Sequence, residues 1–281
     1  MNSTPQFPLR GLFRRLLGPF AGLEPEAVPL DNDEWEALRQ RVPFIARLTP
    51  EERSRLRELI GQILAQKEFI GIAAEPEPWQ CQVIAAYAAL PILELGLAPY
   101  RDWRTLILYP DTFVPEHEWV DEAGIVHQGA MPQSGEAWER GPVILSWNDV
   151  ERDGAVVVHE MTHVLDAGNG EVNGFPPLPR GQSTRAWTED FSRAFDRFVE
   201  TVEAVEAGTV DESALPLDPY AATAPEEFLA VAVESFFFEP ARLRVRLPAI
   251  YDHLVAYFGQ EPHRRGDWIA SSTQTAPEHA P

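Results

Sequence analysis

With 281 residues and 44% hydrophobic side chains, the chain is long enough to bury the core of one large domain. Its formal charge of −21 excludes a nucleic-acid binder, which needs a basic face. No apolar run reaches the roughly 18 residues of a membrane span, and a single cysteine, Cys81, excludes an internal disulfide framework and suits a reducing cytoplasm.

Residues 1–29 form a basic, amphipathic segment in which Arg10, Arg14 and Arg15 alternate with Leu9, Leu12, Phe13, Leu16 and Leu17. It lacks the apolar stretch and cleavage site of a secretory signal, and reads as a tail helix packed on the domain or as an interfacial segment. Thr49-Pro50-Glu51-Glu52 is a capping box with proline at the first helical position. It opens a helix whose Leu56, Leu59, Ile60, Ile63 and Leu64 make one apolar stripe. A second helical stretch spans about 80–95, with Cys81 read as core. Short strands are predicted at 106–109, 119–121, 125–128 and 143–147, with Ala123-Gly124 as a hairpin turn. Ser146-Trp147-Asn148-Asp149 ends the last strand in a loop, and Asp153-Gly154 offers a turn and cap for the next helix. Helices are then expected at 156–166, 185–207, 225–238 and 248–258, and residues 263–281 read as a disordered tail. Residues 30–262 therefore make one helix-rich α+β domain with a small mixed sheet.

The helix at 156–166 carries His159-Glu160-Met161-Thr162-His163, an H-E-x-x-H motif. Positions i and i+4 share a helix face, so both imidazoles can meet one tetrahedral metal while Glu160 lies beside it as a proton acceptor. A core helix whose histidines merely pack is the plain alternative. This helix is Val156, Val157, Val158, Met161, Val164 and Leu165 over most of its surface, so two histidines and a glutamate inside it need a metal or partners.

A catalytic zinc needs a third protein ligand. The metzincin pattern fails, because Asp166 stands where it requires glycine and Asn169 where it requires histidine. A glutamate from the helix at 225–238 is the other solution: Glu227, Val231 and Glu234 share a stripe of an otherwise apolar segment, so both glutamates are candidates. The intervening segment 169–181, with three prolines, is a stiff loop that walls the substrate cleft or crosses the surface. His117, His127, His253, His263 and His279 show no ligand spacing and read as surface or structural residues.

The segments 159–166, Asn173-Gly174-Phe175-Pro176-Pro177-Leu178, 220–228 and Glu234-Ser235-Phe236-Phe237 resemble the Mlc titration factor type of bacterial zinc peptidases, which is similar to the catalytic domain of anthrax lethal factor. The resemblance extends more weakly through 44–71 and 106–110, and covers about residues 30–262. It implies a zincin-like metallopeptidase fold holding one Zn2+ through His159, His163 and Glu227, with Glu160 as general base. Glu234 would then accept a ligand imidazole N–H, and Tyr220 would face the metal and donate to the developing oxyanion. Tyr220 also reads as an ordinary loop residue. Asp166 matches the aspartate that follows the motif in the family, or serves a capped helix end near Gly168 and Gly170.

Two functions follow. The first is a cytoplasmic zinc-dependent metallopeptidase of the gluzincin type acting on a peptide or protein substrate, as aminopeptidase or endopeptidase. The second, implied by the resemblance, is a regulatory protein that sequesters a transcriptional repressor of sugar uptake.

Overall fold

A computed structural model of the chain describes residues 27–110, 118–120, 126–128 and 141–265. Nearly all of the basic N-terminal segment and most of the tail predicted after residue 263 lie outside these, as do His117 and His279.

Helix α1 (Asn32–Arg41) is closed at its start by a capping box, Glu34 N–H donating to Asp31 at 2.8 Å and Asp31 N–H to Glu34 at 2.9 Å. It buries only Leu38, so its apolar stripe is too thin to read in advance. Helix α2 (Pro50–Gln66) begins at the predicted box, where Thr49 and Glu52 exchange hydrogen bonds of 2.8 and 3.2 Å. Leu56, Leu59, Ile60 and Ile63 are buried, and Leu64 packs half-buried beside them. Gly61 is required here: a Cβ would lie 2.5 Å from the Val28 carbonyl, whose residue also donates its N–H to Gly61.

The three-stranded parallel sheet has the order β1 (Glu68–Gly71), β2 (Thr105–Tyr109), β5 (Val143–Ser146), with Phe69 opposite Leu106 and Leu106 opposite Val143. Strands β3 (Glu118–Val120) and β4 (Val126–Gln128) pair antiparallel, Trp119 opposite His127, while the turn expected at Ala123-Gly124 lies outside the described residues. Helix α3 (Pro78–Ala89) crosses from β1 to β2, with Val83 through Ala89 buried. Cys81 is only half-buried, not core.

One expectation is corrected between β5 and the metal helix. Residues 147–152 are not a loop but helix α4 (Trp147–Arg152), capped by Ser146, whose Oγ accepts the Asp149 N–H at 3.3 Å. Trp147 anchors it edge-on to Trp79, with ring centroids 5.0 Å apart. Helix α5 (Ala155–Asp166) follows after Gly154, where a Cβ would fall 2.1 Å from the Tyr87 ring of α3. Only glycine lets α5 start this close to α3.

The second half is helical: α6 (Thr184–Glu206), α7 (Pro225–Phe238), α8 (Pro240–Arg246) and α9 (Pro248–Phe258), each of the last three with proline in its first turn. The inner face of α6 buries Trp187, Phe191, Phe198 and Val202 against Phe228 of α7 and against α9. This is the expected helix-rich α+β fold, and it lays α7 along α5.

Lys67, at the C-terminal end of α2, is buried and donates from Nζ to the Tyr100 and Trp103 carbonyls at 2.5 and 2.6 Å. Burial, reinforced by the Arg104 charge, lowers its ammonium to about 8. Between that value and the ordinary value near 10.5 the unfolded chain holds the proton more tightly, so stability from this group rises with pH. Denaturant titrations from pH 7.5 to 10 should show the parent gaining about 2 kcal/mol relative to Lys67→Met. A flat difference across that range would place the ammonium in a solvated setting.

Candidate metal centre

Helices α5 and α7 run side by side in opposite directions and bring the predicted residues together. His159 and His163, one turn apart on α5, face Glu227 in the first turn of α7, and their ligating atoms all lie within 4.8 Å of one another. His159 Nε2 stands 3.0 Å from Glu227 Oε2 and 3.2 Å from His163 Nε2, and His163 Nε2 stands 3.5 Å from Glu227 Oε1. Donors at about 2.0–2.1 Å from a tetrahedral ion are separated by about 3.3 Å, and these spacings lie close to that, with Glu227 presenting a different oxygen to each histidine, so the donor set fits a zinc ion.

Glu234, two turns further along α7, takes the other nitrogen: His159 Nδ1–H donates to Glu234 Oε1 at 2.5 Å. That bond holds the ring with Nε2 turned toward Glu227 and His163. Sequence left Glu227 and Glu234 on one stripe, and the two nitrogens of His159 separate them. Burial alone would lower the His159 imidazole, but hydrogen bonds to Glu227 and Glu234 push it up to about 10. Burial would raise Glu227, yet the hydrogen bonds from His159 and His163 hold its carboxyl well below the usual range. Two carboxylates on one imidazole make a cradle that attracts a cation. Burial pushes Glu160 above the ordinary carboxylate value, with the His163 and His159 charges opposing and Glu227 and Glu234 reinforcing.

Tyr220 lies in the short turn Pro219–Ala222, held by Asp218, which accepts the Tyr220 N–H at 2.9 Å. Its ring is 6.1 Å from that of His159 and half exposed. Burial, the Glu227 charge and a hydrogen bond to Glu227 push its phenol up to about 12. It therefore stands at the rim of the cluster as a protonated donor.

Asp166 is fully buried and accepts the N–H groups of Asn173 and Gly174 at 2.8 and 2.6 Å. It ties the proline-containing loop to the end of α5. Burial, working against those N–H donors, pushes its carboxyl up to about 6. Gly174 has φ +80°, and a Cβ there would lie 2.9 Å from the Pro225 carbonyl at the start of α7. The chain of contacts Asp166, Gly174, Pro225 thus positions Glu227. Asp166→Ala strands the buried Gly174 N–H and the half-buried Asn173 N–H and should cost about 2–4 kcal/mol in chemical denaturation; a change below about 0.5 kcal/mol would remove Asp166 from this role.

His253 pairs with Asp190 at 2.9 Å and His263 Nδ1 meets the Tyr251 hydroxyl at 2.7 Å, which suits structural histidines. The sequence reading missed Asp153 and Asp218, whose charges both raise the Glu234 carboxyl, secondary to its burial. They lie 65 positions apart in a chain rich in acids, so no local signal marks them.

An α+β fold with H-E-x-x-H on one helix and a facing glutamate on another is the architecture of metallopeptidases. Residues 24–259 match the family described as glucose-regulated metallo-peptidase M90, and the chain belongs to that family. It is similar to Mlc titration factor A of Serratia proteamaculans, 37% identical over 231 residues that cover 80% of this chain and 86% of that protein. The proteins of the same name from Escherichia fergusonii and Klebsiella pneumoniae are 34% and 35% identical, over 79% and 80% of this chain and 84% and 85% of theirs. Among the described residues no helix is long and apolar enough to cross a membrane.

Proposed function

We propose that the protein is a zinc-dependent metallopeptidase of the gluzincin type, with residues 30–262 as its peptidase domain. In this reading His159, His163 and Glu227 hold one zinc and Glu160 is the general base. The observation that carries it is the cluster of donor atoms beside Glu160 on α5: Glu227 Oε2 lies 3.0 Å from His159 Nε2, Glu227 Oε1 lies 3.5 Å from His163 Nε2, and the two Nε2 atoms are 3.2 Å apart. Zinc, when bound, supplies Lewis acidity that polarises a peptide carbonyl and makes water easier to deprotonate. Glu160 takes the proton of the attacking water and returns it to the leaving amine; its raised affinity for a proton suits both steps. Tyr220 donates its O–H to the oxyanion as charge develops there. Glu234 keeps His159 in the tautomer that points Nε2 inward.

Elemental analysis of the purified chain should return about one zinc per molecule, and a peptide mixture incubated with it should give fragments that a chelator suppresses. A chain without zinc after supplementation, or fragments indifferent to the chelator, would overturn the reading.

A second role rests on the relatives named Mlc titration factor A. We infer that this chain also binds a transcriptional repressor of that kind, of the sort that governs sugar uptake, in the cytoplasm. Purified repressor and protein should co-elute in size-exclusion chromatography; separate elution at micromolar concentrations would sink this role.

A further inference from the structure

A groove of about 790 Å³ lies between the later part of α7 and the segment Asp211–Pro219, closed at one side by Asp153 and by Ala155 at the start of α5. Ala155 lies four residues before His159 and Val231 four after Glu227, and both line it. The groove therefore begins one helical turn, about 5.4 Å, from the ligands on both helices. Glu234 belongs to both: one carboxylate oxygen takes His159 Nδ1–H, and its side chain also lines the groove. At the near end lies Pro219, next in sequence to Tyr220. An extended peptide rising about 3.3 Å per residue and bound at the cluster would enter the groove within about two residues of the bond to be cut.

The walls combine apolar surface with acid. Leu215, Leu217, Val231 and Phe238 supply much of the apolar part, and Asp153, Asp211, Glu212, Asp218, Glu234 and Glu239 the carboxylates. Among the described residues Arg242 is the only lysine or arginine lining it, and it is already bound to Glu239 and to the Leu215 carbonyl, each at 3.0 Å. Ser235 Oγ, on the same face of α7, is buried without a partner among the described residues. A long side chain with a methylene stem and a cationic head matches such a surface, because the stem covers the apolar wall while the head meets carboxylates.

Resting on the peptidase reading above, we propose that this groove receives a lysine or arginine side chain of the bound peptide, so that the protein selects cationic peptides. Asp153 and Asp218 are its specificity residues. Each already uses one oxygen on a backbone N–H, of Ala155 and of Tyr220, both at 2.9 Å, and so is fixed in place.

The test is binding, read apart from cleavage. Full-length zinc-loaded Glu160→Gln protein is titrated, by fluorescence anisotropy, into a labelled alanine-rich hexapeptide carrying two lysines and into its counterpart with glutamines in their place. The lysine peptide should bind at least about tenfold more tightly. In a background of Asp153→Asn with Asp218→Asn, which keeps both backbone hydrogen bonds, the ratio should fall below about threefold. The exposed pair Glu51→Gln with Glu58→Gln on α2 removes equal charge elsewhere and should leave the ratio intact. Equal affinity for the two peptides, survival of the preference in the Asp153/Asp218 variant, or its equal loss in the α2 control would each overturn the proposal. If the parent cleaves nothing, the peptidase reading fails while the anisotropy ratio still reports on the groove. Cleavage without a lysine preference overturns the groove alone.

Discussion

Replacing Glu160 by glutamine is expected to lower peptide hydrolysis by about 10²–10⁴-fold while leaving about one zinc per chain. Glutamine keeps the length and planar end of glutamate, so α5 and its packing against α7 should persist. What it lacks is a basic carboxylate. The inferred role of Glu160 is to accept a proton from water and then release it to an amine, and an amide does neither. Its raised proton affinity comes first from burial, which brings the carboxyl nearer the pH at which both transfers run. Rates are best compared at saturating peptide with zinc measured on the same samples. A variant within about threefold of the parent would mean that another group takes the proton, and Glu160 would then be a structural neighbour of the histidines.

The second large effect separates the two glutamates of α7. Glu227→Ala should abolish stoichiometric zinc, whereas Glu234→Ala should keep it with an affinity about 10–100-fold weaker. Removing Glu227 leaves only two imidazole nitrogens, 3.2 Å apart, to hold an ion. Two ligands fall short of the three that a catalytic zinc site requires. Removing Glu234 leaves His159, His163 and Glu227 in place and frees the His159 ring to turn or change tautomer. Competition with a chromophoric chelator measures both affinities. Zinc lost from the Glu234 variant and retained by the Glu227 variant would exchange their roles.

The parts of this fold legible in sequence are those with local signals. The Thr49 box and the prolines at 225 and 248 mark helix starts within a residue or two, because capping chemistry acts within one turn. Strand β1 is not legible: Glu68 is exposed and the other three residues are half-buried, and their extended form rests on pairing with β2, 37 positions away. Helix α4 was misread since Ser146 both ends a strand and caps a helix. At the centre, His159, Glu160 and His163 announce themselves by spacing. Choosing between Glu227 and Glu234 requires knowing which nitrogen of His159 each one faces. The tie from Asp166 to Asn173 and Gly174 depends on a loop closing back seven or eight residues on, which no helix pattern encodes.

His159 and Glu227 are 68 positions apart, with all of α6 between them, in a chain whose single cysteine allows no internal disulfide. An ion gripping both would act as a reversible cross-link around that long excursion. By the loop-closure relation used for disulfides, a tie of this span removes about 4 kcal/mol of chain entropy from the denatured ensemble. Metal supply would then set the stability of the folded chain as well as its chemistry.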